Sequence, residues 1–453
     1  MSPAVLDTTA ARLTKALADE QVVAHMPSLV AGVMREGELV WWGARGTAVR
    51  RGESTSPDDR TQYRIGSITK TMTAVLIMQL RDEGQIDLAD RLDHHVTGIG
   101  YGDRTIRQLL SHSSGMQAEP AGSWWERSPG VEFDALASTI DGSAAALPAG
   151  RQYHYTNLAY GLLGELVARK RGTSWWYALR THLLDPLGMS RTSYLAEQPA
   201  ADGFSVHAFA RTLTEEPAQD TKAMAPAGQV WSTVRDLAAY AGFLADPDSR
   251  VLLADSLTEM ATVQSGTPEE GMTAGYGLGL RLTISGARTL IGHTGSMPGF
   301  LAGLLVDRER RTGAVCLANG TAGLRCEGLA AELLALVEEH EPCLPNEWIP
   351  TDAVPSETAE ILGLWHWGET ALALTYDGAE LGLTRPGDDR PDLRYRQTGA
   401  DTYVGLSGYH TGETLQVVRR ADGEVSHLEC ATFIYTRRPY DPNAPIPGGR
   451  GSG

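Results

Sequence analysis

The chain has 453 residues, 42% of them hydrophobic, which is enough to bury a sizeable core and, at about 150 residues per domain, predicts two or three domains. Acidic residues outnumber basic ones 56 to 39, a net charge of −17 that repels polyphosphates and anionic membrane surfaces and argues against nucleic-acid binding. Cys316, Cys326, Cys343 and Cys430 contain no CxxC pair, so neither a zinc site nor a disulfide framework is expected, only free buried thiols.

The amino terminus, Met1-Ser2-Pro3-Ala4-Val5-Leu6-Asp7, lacks the basic start and unbroken apolar run of a secretory signal, and a helical pattern with Arg12, Lys15, Asp19 and Glu20 follows it. No later stretch reaches the ~20 apolar residues that span a bilayer. A cytoplasmic protein without membrane contact is therefore expected. From Ser28 to Gly46 two β-rich runs flank Arg35-Glu36-Gly37 and predict a hairpin. Helical patterns cover Thr71 to Arg81, Leu158 to Lys170 and Thr233 to Leu244. A second β-rich group comprises Tyr276 to Leu280, Thr289 to Gly292, Phe300 to Val306 and Gly313 to Ala318. If the early and late strands share one sheet, residues 1–340 form one catalytic domain with a largely helical lobe inserted at about 85–230, and the crevice between them is the natural place for a site.

Pro342, Pro345, Pro350 and Pro355 mark 341–357 as a linker. Over 358–440, short alternating segments are broken by Asp377-Gly378, Gly387-Asp388, Gly412-Glu413 and Asp422-Gly423, the pattern of a small antiparallel β-barrel. Residues 441–453, ending in Pro447 to Gly453, read as a disordered tail.

Three short patterns carry chemistry. Ser67-Ile68-Thr69-Lys70 opens a helix for which Gly84 is the stop. Residues three apart share a helix face, so the Lys70 amine reaches the Ser67 hydroxyl. A serine becomes a nucleophile when a base takes its proton, and a lysine can be that base only if burial or nearby positive charge lowers its pKa. The helix start also offers backbone N–H groups to an oxyanion. Tyr155-Thr156-Asn157 lies on a loop entering the next helix. Its phenol can pass a proton between nucleophile and leaving group, and its carboxamide can hold both the lysine and a substrate amide. Gly292-His293-Thr294-Gly295-Ser296-Met297-Pro298-Gly299-Phe300 falls between one predicted strand and the next. Small residues there let a substrate backbone lie against a strand edge, and the Ser296 N–H can supply a second oxyanion donor.

In this order, Ser-x-x-Lys, Tyr-x-Asn and His-Thr-Gly-Ser resemble the serine β-lactamase and penicillin-binding-protein superfamily in its class C-like branch; a related set carries Ser-Asp-Asn and Lys-Thr-Gly in the second and third places. Thr105 to Met116, Leu184 to Met189 and Trp231 to Leu237 are also similar to that branch, and the resemblance covers roughly residues 25 to 335. It implies an α/β lobe, with an antiparallel sheet flanked by helices, beside an all-helical lobe. It further implies that Ser67 is acylated, that Lys70 and Tyr155 share proton transfer and that Asn157 positions substrate. The main chain at Ser67 and Ser296 would form the oxyanion hole, with His293 among the catalytic groups and Thr294 and Gly295 lining the substrate.

Where carboxypeptidase-like members place a lysine, this chain has His293, which is mostly neutral at pH 7 unless perturbed. Esters, thioesters, amides and aminopeptidase substrates then become more plausible ligands than a free C-terminal carboxylate. The absence of an export signal disfavours a wall-building transpeptidase or a secreted β-lactamase. The chain most resembles penicillin-binding-protein-type thioesterases, which carry a small lipocalin-like β domain after the catalytic part; Gly363-Leu364-Trp365 is similar to the Gly-x-Trp that opens such barrels. That resemblance implies a stand-alone enzyme that takes a peptidyl thioester with a C-terminal D-residue from a nonribosomal synthetase carrier protein and releases a head-to-tail macrocycle. A D-stereospecific aminopeptidase or an esterase is the enzymatic alternative, and a non-catalytic ligand sensor is the alternative of another class. No metal-ligand cluster, P-loop spacing or dinucleotide fingerprint occurs, so neither metal nor cofactor is expected.

Overall fold

The structure is a computed structural model that describes residues 4–49, 55–266, 274–285, 288–341, 344, 347–350, 353–388, 391–439 and 441. Pro342, Cys343, Pro345 and the tail from 442 onward lie outside the described residues. The chain divides into two units, Met1–Cys343 and Leu344–Gly453.

In the first unit the early hairpin forms as β1 (Ser28–Arg35) and β2 (Glu38–Gly46), joined through Glu36 and Gly37, both at positive φ (49° and 82°) as a tight two-residue turn requires. With β3 (Ala274–Tyr276), β4 (Arg281–Ser285), β5 (Arg288–Met297), β6 (Phe300–Asp307) and β7 (Thr312–Ala318) it makes one sheet of order β2-β1-β7-β6-β5-β4-β3. The early and late strands meet at β1 and β7, antiparallel from Leu29↔Ala318 to Arg35↔Thr312.

Helices α1 (Asp7–Val23), α2 (Ile68–Asp82), α4 (Val234–Ala245) and α5 (Cys326–His340) cover this sheet on both faces, and α3 (Asn157–Arg171) packs against α2. Side chains alternate between the faces along each strand. Leu29, Ala31 and Val33, with Ala314, Cys316 and Ala318, enter a core completed by α1 and α5. Val30 and Met34, with Val315 and Leu317, enter the larger core shared with α2, α3 and α4. That is why β1 and β7 read as apolar runs rather than as alternating ones. Cys316, Cys326 and Cys430 are free and buried; Cys343 is outside the described residues.

Helix α2 sits deepest, with Ile68 to Leu80 buried without a break. A helix with no wet face must satisfy its polar groups internally. Thr71 donates to the Ile68 carbonyl at 2.7 Å and Thr73 to the Pro226 carbonyl at 3.0 Å.

The middle region is less helical than its pattern predicts. Between 85 and 230, α3 is accompanied by short helices such as Ile106–Leu110, Phe133–Ala137 and Trp175–Leu179, and the Gly-, Ser- and Pro-bearing stretch from Ser113 to Gln152 is mostly loop. The late strands also differ. The run predicted from Tyr276 to Leu280 stops at Tyr276, Gly279 (φ 81°) turns the chain, and β4 begins at Arg281. The strand predicted to end at Gly292 continues to Met297, so His-Thr-Gly-Ser lies inside β5, held extended by pairing with β6 from Leu290↔Asp307 to Met297↔Phe300. Among the described residues no helix is long and apolar enough to cross a membrane.

The second unit is a closed antiparallel barrel of eight strands, from Gly363–Trp367 to Phe433–Thr436, closed by His366↔Thr436. All four predicted turn pairs fall between its strands. Its interior is filled by Trp365, Leu374, Leu383, Tyr395, Leu415, Leu428 and Tyr435. The Trp365 indole N–H finds the Ile361 carbonyl at 2.7 Å, which satisfies the polar edge of a fully buried ring.

Candidate active site

A two-residue ribbon, Tyr63–Arg64 against Trp231–Ser232, delivers the chain to Gly66, whose left-handed backbone (φ 54°) turns it into α2. Ser67 occupies the N-cap of α2, yet its side chain makes no capping bond. The hydroxyl lies instead 2.9 Å from Lys70 Nζ, one helical turn on. Lys70 is wholly buried, and its other partner is the Ala227 carbonyl at 2.7 Å. Both hydrogen-bond partners are neutral, so no bonded carboxylate offsets the cost of removing an ammonium from water. Burial pulls the amine down from 10.5 to about 7, against the opposing pull of Glu119 and Glu126.

Thr156 caps α3 through its Oγ1, which accepts the Ala159 N–H at 3.3 Å, and it holds Tyr155 and Asn157 on either side of that cap. The Tyr155 ring centre is 5.0 Å from Lys70 Nζ. Burial raises the Tyr155 phenol well above its ordinary value while its hydrogen bond with Ser67 works the other way, so it is protonated at neutral pH. Asn157 departs from the expected contact: its Nδ2 donates to Glu119 Oε1 at 2.7 Å, and among the described residues it makes no hydrogen bond to Lys70. Glu119 is also held by the Trp125 indole N–H at 2.7 Å.

His293, on β5, is 5% exposed. Its Nδ1 donates to the Thr294 carbonyl at 2.5 Å and its Nε2 accepts from the Tyr276 hydroxyl at 3.0 Å, which fixes a neutral tautomer with the proton on Nδ1. Burial first, and the Lys70 charge second, lower its pKa from 6.5 to about 3. The imidazole therefore carries no charge over the neutral range.

Strand β5 is pressed onto the turn before Ser67. A Cβ at Gly295 would lie 1.9 Å from the Ile65 carbonyl oxygen and 3.3 Å from Ser67 N, and one at Gly66 would lie 2.5 Å from Ser296 N. These two glycines allow the backbones of Ser67 and Ser296 to come together. Gly295→Ala is accordingly expected to cost at least about 1–3 kcal/mol, as overpacking does, and to lower turnover as well, checked by thermal unfolding alongside kcat. Strand β4 pairs with β5 only up to Gly292, so among the described residues 293–297 have no partner on that edge.

Ser67, Tyr153, Tyr155, Tyr276, Arg281, His293, Thr294 and Ser296 line one cavity of about 240 Å³. Lys70 lies behind it, and Gly295 forms part of the β5 backbone. A larger cavity of about 840 Å³, walled by Trp175, Trp176 and Tyr194 among others, contains none of these groups, so chemistry rather than volume selects the smaller one. Glu119, Tyr276 and Arg281 were not singled out from sequence. The one local signal was a lone arginine in the apolar run Leu278 to Leu282; Arg281 pairs with Glu327 at 3.2 Å. Among the described residues no three His, Cys, Asp or Glu side chains gather as metal ligands.

The Beta-lactamase family model matches residues 13–339, and a domain of unknown function, DUF7586, matches residues 354–437. The chain is similar to penicillin-binding protein 4 of Amycolatopsis lactamdurans, 28% identical over 317 residues that make up 65% of this chain and 81% of the relative. Among solved structures it is similar to SurE with D-Leu, at 26% identity and a TM-score of 0.60 over 96% of this chain and 100% of that one. It is also similar to a D-stereospecific amidohydrolase from Streptomyces sp., at 25% identity and a TM-score of 0.60 over 74% of this chain and 99% of that one.

Proposed function

Because the chain belongs to the Beta-lactamase family, within the penicillin-binding-protein superfamily, we propose that it is a serine acyltransferase working through an acyl-Ser67 intermediate. We propose further that it offloads a nonribosomal peptidyl thioester, presented by a carrier protein in the cytoplasm, as a head-to-tail macrocycle. The observation that carries the first statement is the buried Lys70 amine, titrating near 7, at 2.9 Å from the Ser67 hydroxyl.

In this reading, neutral Lys70 takes the Ser67 proton as Oγ attacks the thioester carbonyl. The N–H groups of Ser67 and Ser296 receive the negative charge that develops on oxygen. Collapse breaks the C–S bond, and the thiol leaves with the proton, handed on through Lys70 or the Tyr155 phenol. The amine at the other end of the peptide then attacks the ester carbon. It gives its proton to Lys70, the C–O bond breaks, and Ser67 regains its hydrogen from Lys70, directly or relayed through the Tyr155 phenol. Water must be kept from the ester while the chain folds back. The neutral His293 offers no charge to a free carboxylate, which favours a thioester or amide donor. The likeness to SurE with D-Leu, which extends over both units, supports the D-residue.

A second reading, a D-stereospecific amidohydrolase, is favoured by the Streptomyces likeness and by Glu119, a carboxylate beside Asn157 able to receive a substrate ammonium. Incubation with linear peptidyl thioester mimics ending in a D-residue is expected to give cyclic product that disappears in Ser67→Ala. Slow hydrolysis across a broad set of mimics, together with faster turnover of D-Ala-p-nitroanilide, decides for the amidohydrolase.

A further inference from the structure

We infer that His112 is a positioning residue that holds the Tyr155 phenol in place against Ser67, an inference that rests on reading Ser67 as the nucleophile. His112 follows the short helix Ile106–Leu110 and is wholly buried. Its carbonyl accepts the His154 N–H at 2.7 Å and its Nδ1 accepts the Thr156 N–H at 3.2 Å, so the residues on either side of Tyr155 are both bound through their N–H groups to this one residue. Its ring lies on the Tyr155 ring, with centroids 4.2 Å apart. The same ring touches Tyr276, at 4.6 Å, and Tyr276 in turn donates to His293. A single imidazole thus braces the phenol that moves protons and the tyrosine that orients the second histidine.

The arrangement requires a neutral imidazole. Nδ1 accepts an amide hydrogen, so the ring proton is on Nε2, which has no hydrogen-bond partner among the described residues; the imidazole packs among the rings of Tyr153, Tyr155, Tyr160 and Tyr276. Protonating Nδ1 would break the bond to Thr156. Burial, then the nearby Lys70, holds the His112 pKa well below 6.5, which keeps that acceptor free. A carbon side chain lacks the acceptor, and an amide side chain lacks the ring that packs on Tyr155.

The test uses the full chain and p-nitrophenyl butyrate, with turnover expressed per Ser67 titrated by a fluorophosphonate, so that partial unfolding drops out of the comparison. His112→Ala is expected to lower kcat by about 100-fold with KM changed less than about threefold, the scale of a misplaced catalytic group. His112→Asn, which restores an acceptor near Nδ1, and His112→Phe, which restores the plane, are each expected to recover part of the loss. The alkaline limb of the pH profile is expected to move to lower pH in His112→Ala, as water reaches the Tyr155 phenol, and to stay in place in His112→Phe. Turnover per titrated Ser67 within about threefold of the parent in the Ala and Phe variants overturns the inference. Should the Ala variant not fold, the same criterion applies to Asn and Phe. Failure of the parent itself to take up the phosphonate would instead overturn the reading of Ser67.

Discussion

Ser67→Ala is expected to lose the fluorophosphonate adduct completely and to lower turnover of every acyl donor by at least about 10⁴-fold, since the residues around a nucleophile act as a unit and little catalysis survives its removal. The same substitution is expected to leave folding nearly unchanged. Replacing an N-cap serine ordinarily costs about 1 kcal/mol because its oxygen satisfies an orphan N–H, but the Ser67 side chain makes no such bond. Intact-mass spectrometry and thermal unfolding on one preparation check both halves. An adduct that persists on another residue, or a melting temperature that collapses, would show that Ser67 is a structural cap and not the acyl carrier.

The second large effect concerns Lys70. With Lys70 as the proposed base, only its unprotonated form would be active, so below about pH 7 the rate is expected to fall tenfold per unit as the amine takes up a proton, and to level off above it. Lys70→Met removes the base and is expected to lower kcat by about 10²–10⁴-fold. Its effect on stability runs the other way. The folded-state pKa of this lysine, about 7, lies below the unfolded value near 10.5, so the unfolded chain binds the proton more tightly. The resulting penalty is present in full below pH 7 and disappears as pH rises toward 10.5. Methionine carries no such penalty, although the Ala227 carbonyl loses its donor. The melting-temperature gain of Lys70→Met over the parent should therefore be largest in acid and shrink through the alkaline range. A gain that grows with pH would mean that the buried amine is not the group responsible.

The parts of this molecule that were legible from sequence are those fixed over short distances. One helical turn sets the distance from Ser67 to Lys70, so four consecutive letters were enough. The hairpin announced itself through Glu36-Gly37, and the second unit through its turn pairs, because each turn is a local event. What was not legible depends on remote segments. Asn157 was expected to hold the lysine, but the loop carrying Glu119 reaches it first, and nothing near either residue fixes that meeting. Nothing in the letters around His293 reveals its burial, because Tyr276, on a different strand, covers it. The extension of β5 through Met297 escaped the pattern because small and polar residues show no alternation, and it is the apolar partner β6 that keeps them extended.

The rim of β5 beyond Gly292, unpaired among the described residues, has a consequence for breadth of use. A ligand laid along it is gripped by its peptide groups, and these are the same in every amino acid. If the proposed peptidyl substrate lies there, the catalyst would be indifferent to much of its cargo's composition and strict about its skeleton: an N-methyl group or a proline at a gripped position would remove the hydrogen that the rim needs.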